Sequence, residues 1–93
     1  MRKIEPTGQF KRDFKREAKG PHRRTLDGDF LAVLGQLVID QPLAERYRDH
    51  PLGGEWKDHR DCHIRPDLVL IYRKPDDAVL QLVRLGSHSE LSL

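Results

Sequence analysis

The segment from His50 to Asp67, HPLGGEWKDHRDCHIRPD, concentrates the side chains of this sequence that could do chemistry. It holds three of the five histidines, the one tryptophan and the one cysteine. Side chains alternate between the two faces of a strand, so an extended segment would place on one face Lys57, His59, Asp61, His63 and Arg65. The other face would carry Trp56, Cys62 and Ile64. The spacing therefore predicts a strand with one face for chemistry and one for a hydrophobic core.

Five residues, from this segment and from the chain beyond it, form a candidate acid–base site: His50, Asp61, His63, Asp67 and His88. Histidine titrates near pH 6.5, so it can donate and accept protons at neutral pH. Asp61 and His63 stand about 6.6 Å apart along a strand, on the same face. A carboxylate there can orient an imidazole or raise its pKa. His50 and His88 fall in loops that bracket the strands, which is where a scaffold usually presents a site.

Three other interpretations stay open from the residues alone. His59, Cys62 and His63 would suit zinc on a helix, but on a strand the two histidines stand about 13 Å apart and Cys62 faces away from them. The same alternation points Cys62 at the core, which argues against a nucleophilic thiol. Each histidine could also be an individual structural or surface residue, as is expected of His22. The sequence predicts no metal ion and no other cofactor.

Cleavage of RNA by its own 2′-hydroxyl would need several histidines, a carboxylate and a cation, but no metal. A base takes the hydroxyl proton, an acid protonates the leaving 5′-oxygen, and a cation stabilises the charged phosphorane. Arg84, near the end of the last predicted strand, could be that cation or an ordinary strand-end arginine. From the residues alone, the sequence indicates an acid–base site with RNA as one candidate substrate.

The elements that must position this site are two helices and four strands. Strands are predicted over 2–5, 55–65, 68–73 and 78–85, and helices over 9–19 and 24–39. Thr7 is the expected N-cap of the first helix. The segment LVLIYR (68–73) is apolar on both faces, so we expect it at the centre of the sheet. The order predicts an α+β domain, with a small antiparallel β-sheet and the two N-terminal helices packed on one face.

The first helix also carries a cationic stripe formed by Lys11, Lys15 and Lys19. This stripe is either a solvated helix face or a surface that contacts phosphates, and Lys57 is a further candidate for a contact with RNA phosphates. The net charge is only +2, from 17 Lys and Arg against 15 Asp and Glu, which permits an anionic partner such as RNA without requiring one.

Length and composition predict one cytoplasmic domain over residues 1–93. The single cysteine precludes an internal disulfide and indicates a reducing compartment. The N-terminus, MRKIEPTG, lacks the apolar region of a signal peptide. No apolar run approaches the ~20 residues that a membrane-spanning helix needs.

The sequence closely resembles the YafQ toxins of the RelE/ParE superfamily over nearly its whole length. The resemblance rests on IEPTGQFKRDFK, DHPLGGEWKDHRDCHIRPDLVLIYR and RLGSHSEL. It implies an mRNA interferase of a type II toxin–antitoxin system, an endoribonuclease that cuts codons in the ribosomal A site. The implied partners are a cognate antitoxin, the 70S ribosome and mRNA, with no membrane and no metal. The implied fold is a small antiparallel sheet with two helices on one side.

Position by position, the resemblance assigns functional roles to six residues: His50, Asp61, His63, Asp67, Arg84 and His88. It implies that they surround the scissile phosphate, and it leaves open which histidine is the base and which the acid. Similar toxins often carry an aromatic residue three or four positions after the last histidine, whereas this chain ends Ser89-Glu90-Leu91-Ser92-Leu93. If that aromatic residue stacks on an mRNA base, its absence should weaken substrate binding or relax codon preference.

Two alternative functions remain. A ParE-like toxin would act by binding a protein target without nuclease activity, and it would not need Asp61, His63 and His88 together. A decayed toxin that keeps only antitoxin binding is supported by the missing aromatic residue alone.

Overall fold

Two helices and a five-stranded sheet make up the computed structural model, which describes all 93 residues. In chain order the elements are β1 (Lys3–Pro6), α1 (Gly8–Glu17), α2 (Leu26–Val38), β2 (His50–Pro51), β3 (Arg60–Arg65), β4 (Leu68–Arg73) and β5 (Val79–Gly86). Two 3₁₀ turns, Glu45–Tyr47 and Gly54–Trp56, flank β2. The strand order is β1-β5-β4-β3-β2, so β4 is central as predicted. Even the longest helix, α2, has only 13 residues, and no helix is long and apolar enough to span a membrane.

Both helices pack on one face of the sheet, which confirms the predicted α+β arrangement. The main core joins Phe10 of α1 and Phe30 and Val33 of α2 to Leu70 and Leu82 of the sheet. A smaller cluster lies on the opposite face, made of Val69, Ile71 and Leu91, with Leu52, Trp56 and Val83 packed against it. Strand β4 is therefore buried on both faces, as its apolar sequence requires. The second face is only partly covered, which leaves room there for polar side chains.

Helix α1 begins at the predicted cap and covers an open edge of β5. The Thr7 hydroxyl accepts a hydrogen bond from the Phe10 N–H (3.0 Å) and donates one to the Val83 carbonyl (2.9 Å). Strand β1 pairs only with residues 79–82 of β5, so the second half of β5 has no strand on that side. There the Leu85 N–H donates to Asp13 (3.0 Å), and Arg16 donates to the Leu85 carbonyl (2.8 Å). Side chains of α1 thus hold the end of β5 that leads into His88.

The sheet differs from the prediction at both edges. At one edge the two-residue strand β2, His50–Pro51, pairs with β3, whereas His50 was predicted to lie in a loop. Strand β1 runs parallel to β5, so the sheet is mixed, while the other three pairs are antiparallel. In the sequence, both helices and the three other strands lie between β1 and β5. Such a pairing between the two ends of the chain has no signature in the local residue pattern.

The strand predicted over 55–65 starts later, at Arg60, because the 3₁₀ turn Gly54–Trp56 and a further turn at Lys57 precede it. Lys57 and His59 therefore lie outside the strand, and their predicted place on its polar face is wrong. Trp56 packs with the smaller cluster on the sheet face away from the helices, not with Cys62 in the main core.

Arg65 also departs from the predicted face. A bulge between His63 and Arg65 adds a residue to β3 and reverses the alternation. Arg65 consequently points to the helix side, where its Nε lies 2.6 Å from Asp29 Oδ2 of α2. Asp61 and His63, in the regular part of β3, keep the predicted alternation with Cys62.

Candidate active site

The five residues of the predicted acid–base site lie together on the sheet face away from the helices. Pairing of β2 with β3 puts His50 opposite Asp61. The centroid of the His63 ring lies 6.4 Å from that of His50 and 4.8 Å from that of His88. Asp67, in the turn after β3, has its Oδ1 3.8 Å from His88 Nδ1. The structure thus brings three imidazoles and two carboxylates within reach of one small substrate group.

A backbone carbonyl fixes the tautomer of His50. Its Nδ1 lies 2.6 Å from the Arg48 carbonyl oxygen and 3.1 Å from Asp61 Oδ1. A carbonyl oxygen can only accept a hydrogen bond, so Nδ1 must carry the proton. In the neutral ring, Nε2 is then the free acceptor, and it is available to take a proton from a substrate.

Asp61 is a buried carboxylate whose loss of hydration is not fully compensated by hydrogen bonds. Only 3% of the residue is exposed, and Oδ1 has no hydrogen-bond partner, because the nearby His50 N–H is directed at the Arg48 carbonyl. Burial raises the pKa of Asp61, while positive charge on His50, His63 and His88 acts in the opposite direction. Such an oxygen costs about 1–3 kcal/mol of stability, a cost more often found at functional sites than elsewhere.

His63 lies at the centre of the cluster and is partly buried. Burial lowers its pKa, Asp61 opposes this effect, and positive charge on His88, His50 and Arg48 adds to it. A lowered pKa favours the neutral form of the His63 ring, which can accept a proton.

The turn that carries His88 is closed by reciprocal hydrogen bonds between Ser87 and Glu90. The Ser87 N–H donates to Glu90 Oε1 (2.9 Å), and the Glu90 N–H donates to the Ser87 hydroxyl (3.1 Å), which is the arrangement of a helix capping box. Arg16 of α1 pairs with Glu90 at 3.1 Å. Its guanidinium passes so close to Gly86 that a Cβ there would lie 2.8 Å from Nη2. Helix α1 therefore holds His88 in place through Arg16 and Glu90.

Arg84, the predicted phosphate cation, is already bound to a carboxylate. Cross-strand pairing sets it in the same row as Asp61, through Ile71 of β4. Its Nε lies 2.7 Å from Asp13 Oδ2 and its Nη2 3.3 Å from Asp13 Oδ1. Asp13 is fully buried, and although burial acts to raise its pKa, donors from Arg84, the Leu85 backbone and Gln9 hold it below the usual value. Asp13 therefore neutralises much of the positive charge of Arg84 within the chain.

The four predicted lysine contacts lie on other elements. Lys57 is exposed in the turn before β3, and Lys11, Lys15 and Lys19 are exposed on and just after α1. None of them forms an ion pair within the chain, so their charges are free to meet an external partner.

Sequence reasoning missed the residues just before His50. Arg48 has φ 49° and ψ 42°, a left-handed conformation, and its carbonyl accepts the His50 hydrogen bond. Asp49 accepts hydrogen bonds from the Tyr72 hydroxyl (2.6 Å) and from Arg60 (3.2 Å). Together they fix the loop that presents His50. The motif DHPL contains Asp49, but nothing in its letters indicates that it binds a tyrosine 23 residues away.

The remaining candidates for chemistry are the thiol and a metal site. Cys62 is fully buried, and burial raises the pKa of its thiol well above the usual range, so it is not a nucleophile at neutral pH. No group of three or more His, Cys, Asp or Glu side chains is arranged to hold a metal ion.

Leu91 stands in the part of the tail where similar toxins carry an aromatic residue. It is 2% exposed and packs on Val69 and Ile71 beneath the His88 turn. This position therefore supports the turn from the core rather than offering a stacking surface.

Comparison with known proteins agrees with the fold. A family model described as the bacterial toxin of type II toxin–antitoxin systems, YafQ, matches residues 2–93. The chain is 42% identical over 93 residues to the mRNA interferase toxin YafQ of Escherichia coli K12, across 98% of this chain and 96% of that one. It superimposes on YafQ in the E. coli DinJ–YafQ toxin–antitoxin complex with a TM-score of 0.82, at 37% identity over 97% of this chain and 96% of that one. A copper-bound mutant toxin from Helicobacter pylori gives a TM-score of 0.84, at 38% identity over 98% of this chain and 99% of that one.

These likenesses, with the two-helix mixed sheet and the histidine cluster, define a small α+β toxin of a type II toxin–antitoxin system. Within that class, the chain belongs to the YafQ family.

Proposed function

We propose that this toxin is a ribosome-dependent endoribonuclease that cuts mRNA in the ribosomal A site of the cytoplasm. The observation that carries the proposal is the group of three imidazoles on one open face, with His63 and His88 rings 4.8 Å apart and a carboxylate beside each end of the row. These groups suit the transfer of two protons at a single phosphate. The relative from E. coli K12 is named an mRNA interferase, which supports RNA as the substrate.

The proposed reaction needs a base and an acid on opposite sides of the phosphate. The base removes the 2′-hydroxyl proton, the 2′-oxygen attacks phosphorus, and the bond to the 5′-oxygen breaks as the acid supplies its proton. The products are a 2′,3′-cyclic phosphate and a 5′-hydroxyl. The lowered pKa of His63 favours it as the base, and His88, with the Asp67 carboxylate close by, is then the acid.

A sulfur leaving group separates these two roles. A substrate with sulfur in place of the scissile 5′-oxygen needs little help from an acid, because a thiolate leaves readily. We expect His88→Ala to regain most of its lost rate on that substrate and His63→Ala to regain none. Rescue of His63→Ala alone would exchange the two roles, and rescue of neither variant would contradict the acid–base scheme.

The ribosome supplies what the open site lacks. The histidine cluster lies on a partly covered sheet face, and the tail offers no aromatic side chain to clamp a base. Correct alignment of the attacking and leaving oxygens can contribute several kcal/mol to lowering the barrier, and a large RNA surface can impose that alignment. The unpaired cations on and just after α1, Lys11, Lys15 and Lys19, are available to bind such a surface through its phosphates.

Charge reversal at these three lysines tests the ribosome contact. The triple change to glutamate should reduce cleavage on translating ribosomes by about tenfold or more, with little change in the free energy of unfolding, because all three side chains are exposed. A triple change to arginine is the matched control, since it keeps the charge. Equal loss in both variants would assign the defect to helix packing instead.

A protein antitoxin is the second proposed partner. The E. coli relative, which this chain matches over 96% of its length, was solved in a complex with the antitoxin DinJ. We propose that a cognate antitoxin binds this toxin and blocks its activity. Mixing the toxin with the protein encoded next to it, followed by a cleavage assay, tests this directly, and full activity in the presence of a bound neighbour would contradict it.

A further inference from the structure

A cationic cleft opens beside His63, between the Glu45–Tyr47 turn and the end of β3. One part has a volume of about 360 Å³ and is lined by Arg46, Tyr47, His63, Arg65 and the acidic Asp29, among others. An adjoining part of about 790 Å³ is lined by Glu45, Arg46, Arg48, His63 and Pro66. The two parts share Arg46 and His63, so the cleft leads directly to the centre of the candidate active site.

Two of the arginines in this cleft have no carboxylate partner. Arg46 donates a hydrogen bond to the Tyr47 hydroxyl (2.8 Å), and its guanidinium lies 4.8 Å from the centre of the Tyr47 ring. The Arg48 side chain forms neither a hydrogen bond nor an ion pair within the chain, whereas Arg65 is paired with Asp29. By contrast, Arg84 is held by Asp13. The free positive charge of the site is therefore at Arg46 and Arg48.

The backbone keeps Arg48 at the catalytic cluster in an unfavourable conformation. A left-handed φ of 49° at a residue other than glycine costs energy and persists only where the surrounding contacts impose it. The contact here is the hydrogen bond from His50 to the Arg48 carbonyl. The positive charge of Arg48 is also close enough to His63 to act on its imidazole. Arg48 thus fixes a catalytic histidine with its backbone and presents a free cation beside it.

We propose that Arg46 and Arg48 form an RNA subsite that binds the phosphate next to the scissile one in the mRNA strand. Guanidinium groups suit this role because their planar arrays of N–H donors match phosphate oxygens. The interaction between Arg46 and Tyr47 holds one guanidinium in place before the substrate arrives. The inference rests on the proposed ribonuclease function and names residues that would hold the substrate for that reaction.

The kinetic test uses Arg46→Gln, Arg48→Gln and the double variant on an mRNA held in translating ribosomes. The control is Arg24→Gln, which removes one exposed charge from the segment between the helices, where the Arg24 side chain forms no hydrogen bond or ion pair. Each single variant should raise KM by about 5–10-fold and the double variant by more, while the control leaves KM unchanged. The slope of log KM against log salt concentration should fall by about 0.7 for each phosphate contact that is lost. A KM in the double variant equal to that of the control would overturn the subsite.

A binding experiment separates failure of the subsite from failure of the proposed function. An oligoribonucleotide with 2′-O-methyl groups cannot undergo the 2′-hydroxyl reaction, so its binding can be followed by NMR whether or not the toxin cleaves RNA. We expect it to shift the amide signals of Arg46 to Arg48 and the ring signals of His63, and we expect the double variant to lose these shifts. If wild-type protein fails to cleave yet shows these shifts, the proposed function fails and the subsite stands. If the shifts persist in the double variant, the subsite is wrong. It is also wrong if the double variant keeps its KM for mRNA and loses only its inhibition by the antitoxin.

Discussion

Replacement of Asp61 by asparagine should make the protein more stable and less active. The substitution keeps the shape of the side chain and removes a buried charge, one oxygen of which has no hydrogen-bond partner. The asparagine amide keeps a polar atom without a partner at this position, so the gain comes from removal of the buried charge, whose desolvation costs about 1–3 kcal/mol or more. We take the lower end, because the neighbouring imidazoles compensate part of the charge when they are protonated. A gain of about 1 kcal/mol corresponds to a rise in Tm of about 4–8 °C for a domain of this size.

The gain in stability should depend on pH in a defined direction. Burial raises the pKa of Asp61 in the folded protein above its ordinary value of 3.8, so the folded state holds this proton more tightly than the unfolded chain does. The stability that the carboxyl group contributes is therefore fully present below about pH 3.8 and is lost as the pH rises through the raised pKa. Asparagine suffers no such loss. The advantage of Asp61→Asn should be larger at pH 8 than at pH 5.

Urea unfolding at both pH values, with a cleavage assay on the same preparations, tests this reasoning. Cleavage should fall by about 100-fold, because the charge that acts on His50 and His63 is gone. Asp67→Asn is the control for stability, since the Asp67 side chain is 75% exposed and its loss should change the free energy of unfolding by less than about 0.5 kcal/mol. An Asp61→Asn protein that is less stable than wild type at pH 8 would refute the claim that this carboxylate lacks compensation.

Three further predictions concern the same site. His63→Ala and His88→Ala should each reduce cleavage by about 10²–10⁴-fold with an unchanged circular dichroism spectrum, and wild-type rates in either variant would remove that histidine from the mechanism. Gly86→Ala should force Arg16 and Glu90 away from the His88 turn, because the new Cβ would lie 2.8 Å from Arg16 Nη2. We therefore expect cleavage to fall with little loss of stability, and an unaltered rate would show that the turn tolerates the shift. Toxin that has been treated with EDTA and then freed of the chelator should cleave ribosome-bound mRNA as fast as untreated toxin, as expected for proton transfer by imidazoles, and a loss of activity that zinc or copper restores would contradict this.

Local patterns in the sequence predicted the elements whose rules act over a few residues. Thr7 caps α1 as expected, and the doubly apolar segment 68–73 forms the central strand. Alternation along β3 correctly separated Asp61 and His63 from Cys62, because this part of the strand pairs regularly with β4.

The sequence did not predict features that depend on distant contacts. The bulge before Arg65 is set by how β3 pairs with β4, and it moves this arginine to the helix side. The parallel pairing of β1 with β5 joins the two ends of the chain. Likewise, Arg84 forms an ion pair with Asp13, which lies 71 residues away in the sequence, so its charge is not free. Position in the motif therefore located the histidines but did not identify the cations available to the substrate.

The central claim is that the ribosome completes a site which is incomplete by itself. The most direct test compares cleavage of one mRNA by the purified toxin with and without translating ribosomes, with the cut positions mapped at nucleotide resolution. We expect slow or no cleavage of the naked mRNA and rapid cleavage at the codon in the A site of the translating ribosome. Equal rates and equal cut positions in the two reactions would contradict the account and make this protein a free ribonuclease.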